Sequence, residues 1–285
     1  MSAEEIREKL RKLEESFIEG RISEETYKEL KAKYEAELAA LGAPPARPAA
    51  APPKGLGDLF SRAADFCTSN PLVFLPPVLS GIISAIIFLA LGVSAFGMFR
   101  GFRPPIGPRG GYYPPTGIYG YLGLRALASI IVMIISLIFN GWTISMVKQG
   151  VEQNVIDLSS SLSYTLSKFV PLLIASILVG IIVGIGLLLC VIPGLIALIL
   201  LALTLQAVIV DDYGAVESLS VSFNIVKRNF FEVLIIVIVQ FVVAFILGSV
   251  PYIGSILAEL AGAYFTVLLT LLYYGRRTPR STITV

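Results

Sequence analysis

Residues 169–210 read FVPLLIASILVGIIVGIGLLLCVIPGLIALILLALTLQAVIV, forty-two residues without one Asp, Glu, Lys or Arg. A hydrocarbon core of ~30 Å is crossed by about 20 helical residues, so this run is long enough to cross twice. Ile192-Pro193-Gly194 supplies the expected turn between a span at 169–191 and one at 193–210. Apolar runs of similar length recur at 71–96, 123–147, 230–250 and 255–275, and Val250-Pro251-Tyr252-Ile253-Gly254 is the expected turn between the last two. With no water in the bilayer to satisfy backbone amides, such runs must be helices or a closed barrel. Twenty-residue runs without period-two alternation select the helix. The expected fold class is therefore all-α: a polytopic bundle of about six spans.

Composition agrees. The chain of 285 residues is 55% hydrophobic and 15% charged, against roughly 25% charged in a soluble domain. Histidine is absent, which excludes Ser-His-Asp and Cys-His hydrolysis and histidine zinc sites. No pair of carboxylates or metal-ligand cluster replaces it, so the chain reads as non-enzymatic, with no cofactor, no metal and no catalytic residue. Cys67 and Cys190 fall near opposite membrane faces on this topology, and neither a disulfide nor a thiolate site is expected. Gly55-Leu56-Gly57-Asp58 spells the signature of intramembrane aspartyl proteases, but it follows a proline tether rather than lying inside a span, and reads as chance.

Charge is concentrated in residues 1–42, where eight Lys and Arg face eleven Glu. Ile6, Leu10, Leu13 and Phe17 form one helical stripe; Gly20 offers a helix stop; Ser23 caps a second helix whose stripe is Tyr27, Leu30, Tyr34, Leu38 and Leu41. A hairpin this short has little core of its own, so a coiled-coil-like association with a second copy or a protein partner is expected. Its docking face would be Leu10, Leu13, Phe17, Leu30 and Tyr34. This segment resembles the SHOCT domain, a short oligomerisation module, through Leu10, Leu13, Gly20, Ile22, Ser23, Glu24, Glu25, Tyr27 and Leu30. Residues 43–54, rich in Pro and Ala, are a semi-rigid tether. The membrane domain follows at 55–275 and a short tail at 276–285.

Basic residues flanking the spans set the orientation. Lys54, Arg62, Lys148, Lys168, Lys227, Arg228, Arg276, Arg277 and Arg280 lie on the N-terminal side, whereas Arg100, Arg103, Arg109 and Arg125 lie opposite. A multi-pass protein of the cell membrane with both termini cytoplasmic is expected. The bilayer is then its first partner, and nucleic acid is not one. The outer loop 97–122 is rich in Gly, Pro and Tyr, and reads as a turn-forming segment with interfacial tyrosines.

An amphipathic stretch precedes the first, third and fifth spans: Leu56, Leu59, Phe60, Ala63 and Phe66; Val155, Leu158, Leu162, Leu166 and Phe169; Val216, Leu219, Phe223, Val226 and Phe230. Each opens near an acidic residue suited to a helix start, Asp58, Asp157 or Asp212. The unit is an interfacial helix plus a membrane hairpin, three times in one orientation, as for repeats about an axis along the membrane normal. Cys190-Val-Ile-Pro-Gly194, Ala207-Val-Ile-Val-Asp-Asp-Tyr-Gly214, Ala215-Val-Glu-Ser218 and Ser222-Phe-x-x-x-Lys-Arg-Asn-Phe230 give this domain a resemblance to the membrane domain fused to some glycerophosphodiester phosphodiesterases, and to related standalone prokaryotic membrane proteins. The resemblance implies shared architecture only, since catalysis there belongs to a separate soluble domain.

Inside the spans stand Asn140, Gln206, Gln240 and the single ionisable residue Glu259, with Arg125 at the outer end of its helix. Polar residues at membrane depth are candidates for a pathway, but interhelical hydrogen bonds and one ion pair, Glu259 with Arg125, explain them equally. Counted along straight helices, they do not share a layer. Asp211 and Asp212, where a span meets an amphipathic helix, read as capping residues rather than as a metal or headgroup site. Gly180, Gly184, Gly186 and Gly262 read as points of close helix packing. Two functions remain open: a scaffold or accessory subunit of a membrane complex, the expectation preferred on sequence alone, and a small-solute, ion or lipid transporter with a cavity between the repeat units.

Overall fold

The computed structural model describes residues 9, 10, 12, 13, 26, 27, 30, 31, 33, 34, 55–100, 116–250 and 254–277, with only the backbone described at 93–100, 116–118 and 255. The chain forms two compact units, Met1–Ala51 with Val151–Val155, and Pro52–Gly150 with Ile156–Val285. In the first, every described residue before 51 is helical, in agreement with the two expected stripes; Leu10 and Leu13 are buried and Leu30 and Tyr34 half-buried. Phe17, the Gly20 turn, the Ser23 cap and the tether lie outside the described residues, as does loop 101–115.

The larger unit is helical throughout its regular structure, with no strand among the described residues. In chain order it comprises α1 (Leu56–Ser69), a 3-10 turn (Pro71–Phe74), α2 (Leu75–Arg100), α3 (Thr116–Glu152), α4 (Leu158–Ser167), α5 (Phe169–Leu189), α6 (Val191–Leu200), α7 (Thr204–Val210), α8 (Ala215–Arg228), α9 (Phe230–Gly248) and α10 (Gly254–Arg276). Six segments have the length and composition to cross a membrane: Pro71–Gly92, Tyr119–Glu152, Phe169–Leu189, Val191–Val210, Phe230–Gly248 and Ile256–Arg276. This is a helical membrane bundle. Its outward surface exposes Ile181, Leu188, Phe241 and Phe245, as lipid-facing helices require and soluble ones do not.

Each of α1, α4 and α8 precedes a hairpin of two spans, and the same two helix positions are buried in all three: Leu59 and Ala63, Ser161 and Thr165, Ser218 and Ser222. That shared register is the threefold unit in structural form. What faces inward differs. Unit one buries its apolar stripe, including Phe66, whereas units two and three bury hydroxyls and leave part of the stripe outside, Val216 at 73% and Phe223 at 41% exposure. An interfacial helix can do this because its outer face meets acyl chains rather than water.

The partners of these faces close a ring. Trp142 near the end of α3 donates from Nε1 to Ser161 Oγ on α4 at 2.9 Å. Ser222 on α8 holds the middle of the α6–α7 span, at Leu200 and Leu203. The α1 helix of unit one packs on α10 of unit three, where the Tyr264 hydroxyl donates to the Phe60 carbonyl at 2.9 Å. Every interfacial helix thus rests on the second span of the unit before it, cyclically.

Two features depart from the expected spans. The turn of the central hairpin is the single extended residue Cys190, and Pro193 and Gly194 already belong to the first turn of α6. Proline is tolerated there because no intrahelical partner awaits its missing N–H. Gly194 serves close approach rather than turning: a Cβ on Gly186 would stand 2.8 Å from Gly194 Cα. Among the other glycines expected at packing points, Gly180, Gly184 and Gly262 have nothing within 4 Å of an added Cβ; these do not mediate close packing, because their helix faces turn toward open space.

The fourth span is broken. Helix α6 ends at Leu200 and α7 begins at Thr204, with turns at Leu201–Leu203. The gap is repaired from outside: Ser222 Oγ donates to Leu200 O at 2.9 Å and accepts from Leu203 N–H at 3.1 Å. A broken helix at membrane depth needs such a repair, since lipid offers no hydrogen bond.

Candidate functional site

Among the described residues, the helices of the second and third hairpins lie in close backbone contact whereas α2 and α3 touch little, and between these two, α9 and α10 opens a cavity of about 120 Å³. Its wall is polar: Ser80 from α2; Ser136, Asn140 and Thr143 from α3, spaced to share one helix face; Gln240 from α9; and Glu259 and Thr266 from α10. Ser80 Oγ and Ser136 Oγ are 3.4 Å apart. Glu259 fits because α2 presents Gly81 to it, an added Cβ there lying 3.4 Å from Glu259 Cγ. Among the described residues, Asn140, Gln240 and Glu259 have no hydrogen-bond or ion-pair partner.

Ser136 and Asn140 also line a second, adjoining space of about 350 Å³ between α3, α5 and α7, otherwise walled by Met133, Ile134, Leu137, Leu173, Ser176, Ile177, Gly180 and Leu205. It is apolar where the first is polar.

Of the polar residues picked out in the spans, Asn140, Gln240 and Glu259 therefore do meet in one cavity, contrary to the depth count along straight helices. Counting along each helix takes no account of how the helices tilt against one another or of the reach of Gln and Glu side chains. Gln206 is left out: it is buried on α7, and its Oε1 has no partner. Arg125 is also left out. It is exposed and lies over the Phe88 ring at 5.8 Å, and the expected ion pair with Glu259 is not formed. Helix α3 runs outward to Thr116, so Arg125, eleven residues before Ser136, stands ~16 Å along the helix from the level of the cavity.

A second polar assembly lies at the basic end of the bundle, where α3, α7 and α10 terminate. Lys148 Nζ donates to Tyr164 Oη at 2.8 Å and to Ile209 O at 3.1 Å. The Tyr164 hydroxyl donates to Asp212 Oδ1 at 2.6 Å, and Lys168 Nζ pairs with the same oxygen at 2.7 Å. Asp211, almost fully buried, accepts from the Tyr273 hydroxyl at 2.6 Å and pairs with Arg277. Arg276 forks onto both oxygens of Glu232. The aspartates are thus not caps: α8 is capped by Gly214 without a side-chain bond, whereas Asp157 does cap α4 through Ser159 and Ser160 N–H.

Asp212 sits at φ 57°, in the left-handed region, a conformation most residues avoid but Asp tolerates. Burial works against its charge, but hydrogen bonds from Lys168 and Tyr164 and the nearby positive charge of Lys148 and Lys168 outweigh it, leaving its carboxyl below the ordinary range. Cys67, buried on α1, has its thiol pushed up to about 11 by desolvation, which makes it an unreactive packing residue. Among the described residues no group of His, Cys, Asp and Glu could hold a metal ion.

The paired hydroxyls four residues apart on α4 and α8 went unread in the sequence, although Ser161 with Thr165 and Ser218 with Ser222 form a visible spacing. The cavity hydroxyls Ser80, Ser136, Thr143 and Thr266 carry no such signal, being single residues in apolar runs.

Residues 119–275 match DUF7847, a domain of unknown function. The chain belongs to this family. The match takes in the helices from α3 to α10 and therefore Asn140, Gln240 and Glu259, but not α1 or Ser80. No curated protein and no solved structure matches the chain.

Proposed function

We propose that this protein is a transporter that binds a small ligand within the bilayer, in the cavity around Glu259. The observation that carries the reading is a carboxylate at membrane depth that, among the described residues, has no hydrogen-bond or ion-pair partner and lines one cavity with two amides in the same condition. A structural ion pair would have been closed within the chain, since an uncompensated charge in hydrocarbon costs several kcal/mol.

The test is flux into proteoliposomes of three probes: potassium ion, methylammonium and a fluorescent phospholipid. At least one is expected to move faster than in protein-free vesicles, to lose that excess in Glu259→Gln, and to keep it in Arg125→Gln. Excess flux of none of them, or full flux in a folded Glu259→Gln protein, would overturn the proposal.

A second reading belongs to the N-terminal unit. Leu10 and Leu13 are covered within the chain itself, and the half-buried Leu30 and Tyr34 leave apolar helix surface for association with a second copy or a partner on the cytoplasmic side. Loss of oligomers on deleting residues 1–54 would support it, and an unchanged assembly would refute it.

A further inference from the structure

We propose that the ligand of the Glu259 cavity is a single-chain amphiphile with a cationic head, the head seated in the polar chamber and the chain in the adjoining apolar groove. The inference rests on the transport reading and names its substrate class.

The polar chamber sets the sign of the head. Among the described residues that line it, Glu259 is the one that ionises, and none is Lys or Arg. A cation that enters satisfies the carboxylate; an anion adds a second negative charge in a medium of low dielectric. The remaining polar lining is neutral, from the Asn140 and Gln240 amides and the Ser and Thr hydroxyls, and stands beside Pro77, Phe139 and Ala263. An ammonium group offers three donors and no acceptor, which matches one carboxylate among amide and hydroxyl oxygens. A bare divalent ion suits the wall less well, since calcium gathers about six to eight oxygens, commonly several of them carboxylate.

The groove sets the tail. Ser136 and Asn140 stand on both spaces, so a molecule seated at Glu259 has its continuation beside Leu137, Leu173 and Leu205. The groove's 350 Å³ is more than twice the ~150 Å³ cavity that accommodates benzene. Gly180 forms part of its wall and faces open space, with nothing within 4 Å of an added Cβ. Loss of a side chain there widens the groove and serves no helix contact. A short polar solute would leave this apolar space to bulk lipid, whereas an aliphatic chain on the bound head fills it.

The full chain in phosphatidylcholine nanodiscs can be titrated with a nitroxide-labelled alkylammonium, whose immobilised signal reports binding, and competed with dodecylammonium, dodecanoate and methylammonium. Dodecylammonium is expected to compete at least about tenfold better than either of the others, a factor within reach of one charge-assisted contact. Gly180→Leu should weaken dodecylammonium by a similar factor and leave methylammonium unchanged. Glu259→Gln should weaken both, and Gly262→Val, which fills the polar chamber without removing the carboxylate, should do the same. Equal competition by dodecylammonium and methylammonium, with Gly180→Leu silent, would overturn the amphiphile inference and leave the cavity reading standing. Equal competition by dodecanoate would overturn the cationic head. An immobilised signal that is absent, or that survives both Glu259→Gln and Gly262→Val, would remove the cavity as a ligand site and both proposals with it.

Discussion

Ser222→Ala isolates the repair of the broken span. The Ser222 hydroxyl is the partner of two backbone groups, the part-buried Leu200 C=O and the buried Leu203 N–H, at 2.9 and 3.1 Å. The amide of Thr204 is spent on Leu201 O, and Ile199 O is taken by Ala202 N–H, so neither orphan has a substitute within the helix. Two lost hydrogen bonds at about 1 kcal/mol each, with the desolvation of what they leave unpaired, give a loss of roughly 2–4 kcal/mol. At about 2–4 °C per kcal/mol for a domain of this size, the apparent Tm should fall by roughly 4–16 °C. Thermal unfolding in nanodiscs, with the exposed Ser220→Ala as control, reads this out, and hydrogen exchange at the Leu203 amide should speed up in parallel. An unchanged Tm together with unchanged protection at Leu203 would refute the reasoning, because it would mean that the span closes into continuous helix once the hydroxyl is gone.

Three further outcomes are expected. Gly186→Ala should destabilise by about 1–3 kcal/mol, because its Cβ meets Gly194 backbone at 2.8 Å; Gly184→Ala, facing open space, should be neutral or slightly stabilising in the same thermal assay. Asp212 has a lowered carboxyl in the folded state, so its stabilisation is complete above the ordinary carboxylate value of about 4 and is lost as pH falls through the lower folded value. Asp212→Asn should therefore reduce stability at neutral pH by under about 1 kcal/mol, the pair being partly solvent-screened, and the gap to wild type should close in acid melts. Single cysteines at positions 45, 110 and 282, in a chain lacking Cys67 and Cys190, should react with an impermeant thiol reagent from outside only at 110; external labelling at 45 or 282 would reverse the proposed orientation.

The six spans and the threefold unit were legible because both are written in long-range pattern: charge-free runs of membrane length and amphipathic stretches at equivalent places. The site was only half legible. Glu259, Asn140 and Gln240 stood out by type, but depth counted along each helix carries no information about inclination, so their meeting was missed and Arg125 was given a partner it does not have. The break at Leu201–Leu203 had no local signature, since Leu-Ala-Leu favours helix; it is imposed by a serine nineteen residues downstream of Leu203. Hydroxyl faces on α4 and α8 were masked by a reading that sought apolar stripes.

The closure of the ring by α10 on α1 sets a timetable for biosynthesis. Tyr264 and the Phe60 carbonyl it engages are 204 residues apart. At about 5–20 residues per second, ~10–40 s pass between emergence of the first interfacial helix and arrival of its cover. During that interval the part of α1 that α10 covers, around Phe60, waits for its partner, although Phe66 can already rest against Gly150 of α3, while the later interfacial helices each meet a span made just before them. The final span is therefore the assembly step of the whole domain, and a chain truncated before it would leave its first helix without that cover.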